Sequence, residues 1–169
     1  MTTMPTTRAE PVTERLRADW LKLRGSLFDP STRLPALPSV IDDVRRRLEG
    51  GERLGLIYVD LSSQGEAERA CGWQTHDEVV LRVAEELDRF SRQVLGRADA
   101  LAQCAVRSDD FVLFVDAEAG ERLQRLHEEV ESRLHQALSE IADLDAAPPV
   151  DSAVALLQVE PTMRIERAI

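Results

Sequence analysis

The stretch AVRSDDFVLF, residues 105–114, sets an acidic turn directly against an apolar run. The residues FVLF (111–114) have the β-branched and aromatic content of a buried strand. LAQCAV (101–106) reads as a second strand, so the intervening RSDD is predicted to close a hairpin. The turn crowds Ser108, Asp109 and Asp110 together. It admits three readings: a catalytic site, the remains of one, or a solvated hairpin tip, since aspartate suits turns on conformational grounds alone.

Working upstream, RLGLIYVD (53–60) is an almost continuously apolar strand that ends at Asp60, as expected at the centre of a sheet. Residues 61–73 read as loop and weak helix. Thr75 with Glu78 three residues on is a capping-box signature, opening a helix with Val79, Val80, Val83, Leu87 and Phe90 on one face. Ser39 is expected to cap a helix running through Leu48, with Val40, Ile41, Val44 and Leu48 inward and the arginines 45–47 outward. Before it, FDPSTRLPALPS (28–39) holds three prolines and predicts an irregular turn. Leu16, Trp20, Leu23 and Leu27 recur at helical spacing over residues 13–27, and residues 1–12 are Thr/Pro-rich and expected to be disordered.

Downstream, residues 117–143 predict a long acidic helix with Leu123, Leu126, Val130, Leu134, Leu138 and Ile141 as its buried stripe. VDSAVALLQVE (150–160) gives a further strand, and TMRIERAI (162–169) starts a helix that the chain end cuts short. The domain reading is therefore a disordered 1–12, a leading amphipathic helix over 13–28 and a globular domain over 29–169. The order helix, strand, helix, hairpin, helix, strand predicts an α+β fold of ferredoxin-like plan, a mainly antiparallel sheet covered by helices on one face.

The whole chain narrows the chemistry. It has 169 residues and a formal net charge of −10, which argues against a nucleic-acid partner held through its phosphates. Cys71 and Cys104 are too few for a disulfide framework and read as buried thiols in a reducing compartment. The histidines lack metal-ligand spacing, and His127 and His135 read as surface residues of the acidic helix. No apolar run approaches membrane length and no signal-peptide pattern opens the chain, so the expectation is a cytoplasmic protein without direct membrane insertion. Asp60 closes one strand and Asp109–Asp110 lie between two others. If the strands are neighbours, these carboxylates can converge as a Mg²⁺ site for a nucleotide.

At this point the layout resembles the GGDEF family, diguanylate cyclase domains that condense two GTP molecules into cyclic di-GMP on a nucleotidyl-cyclase-like sheet flanked by helices. DPSTRLPAL (29–37) resembles the family's opening D-x-L-T-G-L-P-N-R in Asp29, Thr32, Leu34 and Pro35. VDLSSQGEAERACGWQTHDEVV (59–80) is similar, without a gap, to D-[ILV]-D-x-F-K-x-[IV]-N-D-x-x-G-H-x-x-G-D-x-[VL]-L, keeping Asp60, Gly72 and Asp77. RSDDF (107–111) falls where the glycine-led signature G-G-[DE]-E-F belongs, and VDSAVALLQVEP (150–161) resembles a later family strand.

The departures shape the functional expectation. The signature's glycines let backbone approach phosphate, and here they are Arg107 and Ser108. By the resemblance, the family's phosphate-binding lysine falls on Gly65, and Lys22 is the only lysine in the chain. The guanine-reading asparagine falls on Glu68, the second aspartate of D-x-D on Ser62, and the histidine after the glycine on Trp73. Asp60 and Asp109 keep the metal-ligand positions, Asp110 replaces the adjacent glutamate, and Asp77 stands at the guanine-contacting acid. The product-binding R-x-x-D falls on Ala98 and Leu101, with Arg97 and Asp99 nearby at a different spacing.

The resemblance thus implies a catalytically inactive, degenerate domain: a vestigial signature over Arg107, Ser108, Asp109, Asp110 and Phe111, vestigial nucleotide positions Asp77, Glu68 and Gly65, and vestigial metal candidates Asp60 and Asp109. No cofactor is expected, with Mg²⁺ at most weakly held. Such a domain is expected to act as a protein–protein interaction or regulatory module in bacterial cyclic di-GMP signalling. The alternative is a non-catalytic sensor of GTP or cyclic di-GMP, and an active cyclase ranks behind both. Candidate partner contacts are Trp20, Trp73, and Glu128 and Glu131 on the acidic helix, with Trp73 also suited to plugging the vacated pocket. A homodimer through the leading helix is a further expectation.

Overall fold

The structure, a computed structural model, describes residues 10–61, 73–95, 100–116, 120–141 and 150–157. Its elements run α1 (Glu10–Leu27), α2 (Leu37–Glu49), β1 (Leu54–Asp60), α3 (Trp73–Phe90, closing in a π-helical turn, Ser91–Leu95), β2 (Ala100–Gln103), β3 (Asp110–Asp116), α4 (Gly120–Ser139) and β4 (Asp151–Leu157). The strands form one sheet in the order β2-β3-β1-β4, with every neighbouring pair antiparallel. β2 and β3 are the expected hairpin, and β1 lies at the centre, paired on both edges.

Strand alternation divides the core. Ile57, Val59, Phe111, Leu113 and Val115 point to one face, where they pack with Val79, Val83, Leu87 and Phe90 of α3 and the stripe Leu123, Leu126, Val130, Leu134 and Leu138 of α4. Leu54, Val112, Phe114 and Leu157 point to the other face, against Val44 and Leu48 of α2. The sheet is therefore covered on both faces, where the sequence suggested one. That explains why β1 and β3 are apolar nearly throughout instead of alternating with polar residues. Where α4 crosses β1 the approach is close at Gly55: a Cβ there would lie 2.6 Å from Leu123 Cδ1, so that side chain would have to shift.

Several local expectations shift. α1 begins at Glu10, three residues inside the stretch expected to be disordered, because Pro11 falls in a first helical turn that needs no amide from it. α2 begins at Leu37 with Ala36 at the N-cap position and Pro38 in its first turn, so Ser39 lies inside the helix and its hydroxyl donates to the Ala36 carbonyl. Thr75 likewise sits within α3 and not ahead of it. Arg47 does not point outward: it is largely buried, bridging Glu52 and Asp116 at the end of β3. The predicted final helix and the stretch 61–72 beyond Leu61 lie outside the described residues.

Candidate functional site

The hairpin tip is fastened from beneath by Asp29. This carboxylate is 2% exposed. Its Oδ1 accepts from the Ser31 amide at 2.8 Å, the Ser31 hydroxyl at 2.5 Å and the Thr32 amide at 2.9 Å, while Oδ2 accepts from the Arg107 amide at 2.8 Å. Burial, the largest single influence, pushes its pKa up, but these donors together hold it below the ordinary carboxylate value. The buried Gln103 completes the fastening: its Nε2 donates to the Ser108 carbonyl at 2.7 Å, its Oε1 accepts from Thr32 Oγ1 at 2.5 Å, and its amide donates to the Pro35 carbonyl.

The turn it holds has an unusual backbone. Arg107 has φ of 63°, and Arg33 in the loop below also has φ of 63°; among the described residues these are the non-glycine residues with positive φ. Both occupy positions where the family pattern carries glycine. The left-handed conformation costs a residue with a Cβ about 1–2 kcal/mol. The Ser108 hydroxyl turns back into the hairpin, accepting from the Ala105 amide at 3.1 Å. Arg107, not Ser108, is thus the exposed side chain of the tip.

Between the tip and the start of α3 lies a cleft of about 700 Å³. Asp77 and Glu78 wall it on one side, Arg107, Ser108 and Asp109 on the other, with Pro30 at its edge. His76, which the sequence did not mark, also lines it, its Nε2 3.9 Å from Asp109 Oδ2. Its signal was its place directly before Asp77.

The carboxylates expected to share a metal divide. Asp60 stands in register between Asp110 of β3 and Asp151 of β4, so these three project to the face carrying α2. There Tyr58 donates its hydroxyl to Asp110 Oδ2 at 3.1 Å. Burial, then the Asp110 carboxylate, raise the Tyr58 pKa; burial, Asp110 and Asp60 push the half-buried Cys104 thiol up to about 12, which disfavours the thiolate. Asp109 instead faces the cleft. Among the described residues no three of His, Cys, Asp and Glu converge closely enough to hold a metal ion. Asp60 and Asp109, the two candidate metal ligands, are thus set apart, Asp60 on the α2 face of the sheet and Asp109 in the cleft.

Of the remaining candidates, Gly65, Glu68, Ser62, Ala98, Arg97 and Asp99 lie outside the described residues. Leu101 is a core residue, 8% exposed. Trp73 is the first residue of α3. Trp20 is 56% exposed on α1. Glu128 is exposed and accepts from Gln124 at 3.3 Å. Glu131 is engaged within the fold: the Ser152 hydroxyl donates to it at 2.6 Å and accepts from His127 Nε2 at 2.7 Å. His127 is correspondingly no surface residue, with only 12% of its side chain exposed. The glutamate meets the serine and not the far ring nitrogen, so the trio lacks the relay of a hydrolase and ties β4 to α4.

No protein-family model and no curated protein matches the sequence. Solved structures do match. The coiled coil and GGDEF domain of DgcB from Caulobacter crescentus, in complex with c-di-GMP, is similar with a TM-score of 0.67 at 21% identity, over 95% of this chain and 86% of that one. Diguanylate cyclase SiaD from Pseudomonas aeruginosa, in complex with its activator SiaC, gives 0.58 at 15% identity, over 94% of this chain and 60% of that one. The S helix-GGDEF-EAL portion of Vibrio cholerae LapD bound to c-di-GMP gives 0.57 at 15% identity, over 83% of this chain and 31% of that one. The chain has the GGDEF-domain fold.

Proposed function

We propose that this GGDEF-fold domain does not condense GTP and serves as a protein-binding, regulatory module in bacterial cyclic di-GMP signalling. The observation that carries the reading is the hairpin tip: an arginine locked in a left-handed backbone where close approach of backbone to phosphate needs glycine. The cleft beneath adds to this, since Asp77, Glu78 and Asp109 face whatever enters it. One carboxylate–phosphate pair at about 5 Å and an effective dielectric near 20 repels by on the order of 3 kcal/mol. Arg107 offsets one such charge, and the chain's sole lysine, Lys22, belongs to α1.

Incubation of the purified chain with GTP and Mg²⁺ is expected to yield no cyclic di-GMP. Product that disappears in Asp109→Ala would sink the reading. A second reading, a non-catalytic cyclic di-GMP sensor, is favoured by the cyclic di-GMP complexes among the similar structures. Calorimetry decides it: a saturable heat at micromolar ligand supports a sensor, and a flat titration with both GTP and cyclic di-GMP removes it. The module is also proposed to self-associate through α1, whose Leu16 and Leu23 are 65% and 57% exposed. Sedimentation of wild type against Leu16→Glu/Leu23→Glu tests this, a monomer in both being the contrary result. Among the described residues no helix is long and apolar enough to cross a membrane.

A further inference from the structure

Beside the cleft lies a second hollow, about 510 Å³, lined by Leu21, Gly25 and Phe28 of the α1 end together with Pro30 and Arg33. Asp29 and Pro30 line both hollows, which therefore adjoin, and we take them together as two compartments of a trough. The compartments differ in chemistry. The first is apolar, with Leu21 and Phe28 53% and 43% exposed, and a Cβ added at Gly25 would meet nothing within 4 Å. The second sets Asp77, Glu78 and Asp109 against Arg107. Leu21 and Gly25 lie about 150° around α1 from the Leu16–Trp20–Leu23 stripe, while Phe28, just past the helix end, borders both this hollow and the pocket it forms with Trp20, Leu23 and Leu27, so the trough adjoins the face assigned to self-association.

We propose that the trough receives a segment of another protein that sets a large apolar side chain beside an arginine or lysine. The apolar group fills the hollow at Gly25, and the cation enters the cleft toward Asp77, Glu78 and Asp109. This rests on the reading that the cleft no longer holds a nucleotide polyphosphate. Charge selects the occupant. A second copy of this chain would bring another net −10 against the same carboxylates. A purely apolar ligand would desolvate those three carboxylates with a single arginine, Arg107, to offset them, which costs more than its contacts return.

The probe is a short labelled amphipathic peptide of leucine and lysine, with the leucine–glutamate peptide of the same order as control, read by fluorescence anisotropy on the full chain. The lysine peptide is expected to bind and the glutamate peptide not. Gly25→Trp, which fills the apolar compartment, and Asp77→Lys/Glu78→Lys, which reverses the acidic one, are each expected to weaken binding about tenfold. Reversal of a distant acid on α4, Glu121→Lys, is expected to leave it within about twofold, because exposed charges beyond a Debye length are screened. These positions are exposed, and circular dichroism checks that each variant folds. No binding of the lysine peptide, insensitivity to either trough variant, or equal loss from the α4 reversal overturns the proposal. GTP turnover is measured on the same preparation. Product formation topples the inactive-site reading, whereas inert GTP with no peptide binding topples the trough alone.

Discussion

α1 and α4 are the two long amphipathic helices with leucine stripes, and they meet opposite fates. In α4, Leu134 and Leu138 are 1% and 0% exposed, packed between α3 and the sheet. In α1, Leu16 and Leu23 are 65% and 57% exposed. Both repeat leucines at helical spacing, although α1 separates its apolar and polar faces much less sharply than α4, and nothing in the spacing of leucines alone records what covers them. The difference is energetic. Leu134→Ala, which opens a cavity, is expected to cost about 2–5 kcal/mol in urea unfolding, and Leu23→Ala, at dilutions where the chain is monomeric, to stay within about 0.5 kcal/mol. Equal costs would break the comparison, since α1 would then have to be packed within the monomer.

The register of α4 on β1 is tested next. Gly55→Ala places a methyl 2.6 Å from Leu123 Cδ1 and 3.0 Å from Val115 Cγ2. A loss of about 1–3 kcal/mol is expected from such overpacking. Leu123→Ala in the same chain should relieve the clash, so the double variant should be less destabilised than the sum of the singles. Strict additivity would mean that the helix does not press on this strand.

The same contrast explains what the sequence disclosed. The hairpin, the central β1 and the stripes of α3 and α4 were legible because each is a local period of 2 or 3.6 residues. The second covered face was not, since it depends on where α2 crosses the sheet. Ser39 and Thr75 carried cap chemistry, but the helices start earlier, at Leu37 and Trp73. His127 and Glu131 read as surface residues until β4 brought Ser152 between them. A signal did exist for His127, which lies four residues after Leu123 and three before Val130 on the buried side. In the site, Asp29 and Asp109 were legible as motif positions. The turning of Asp60 toward Asp110 and Asp151 required the strand register.

Asp29 marks the point where the loop after α1 is bound to the domain. Asp29→Asn keeps one acceptor oxygen but loses the charge that draws the amides of Ser31, Thr32 and Arg107, and a cost of about 1–2 kcal/mol at neutral pH is expected. The pH dependence follows from its sign. With the folded pKa below the ordinary 3.8, the carboxylate's stabilisation is complete above that value and is lost as pH falls through it toward the folded pKa. Acid unfolding of Asp29→Asn should therefore be flatter below about pH 4 than that of wild type. Parallel acid limbs would show that the charge contributes nothing to this fastening.

The smallest effect separates backbone from side chain at the hairpin tip. Glycine at 107 removes the left-handed penalty of about 1–2 kcal/mol and returns about 0.5–1 kcal/mol in unfolded-state entropy. Arg107→Gly should therefore stabilise by roughly 0.5 kcal/mol, while Arg107→Ala, which keeps a Cβ at φ of 63°, should not. Equal gains from both would assign the strain to the guanidinium and not to the backbone. The double change Arg107→Gly/Ser108→Gly then asks whether the tip alone silences the site. It restores room for a phosphate but supplies no lysine and leaves Asp77, Glu78 and Asp109 in the cleft, so GTP should remain unconverted. Cyclic di-GMP from the double variant would show that two side chains stand between this fold and catalysis, and that the surrounding carboxylates are still a working set.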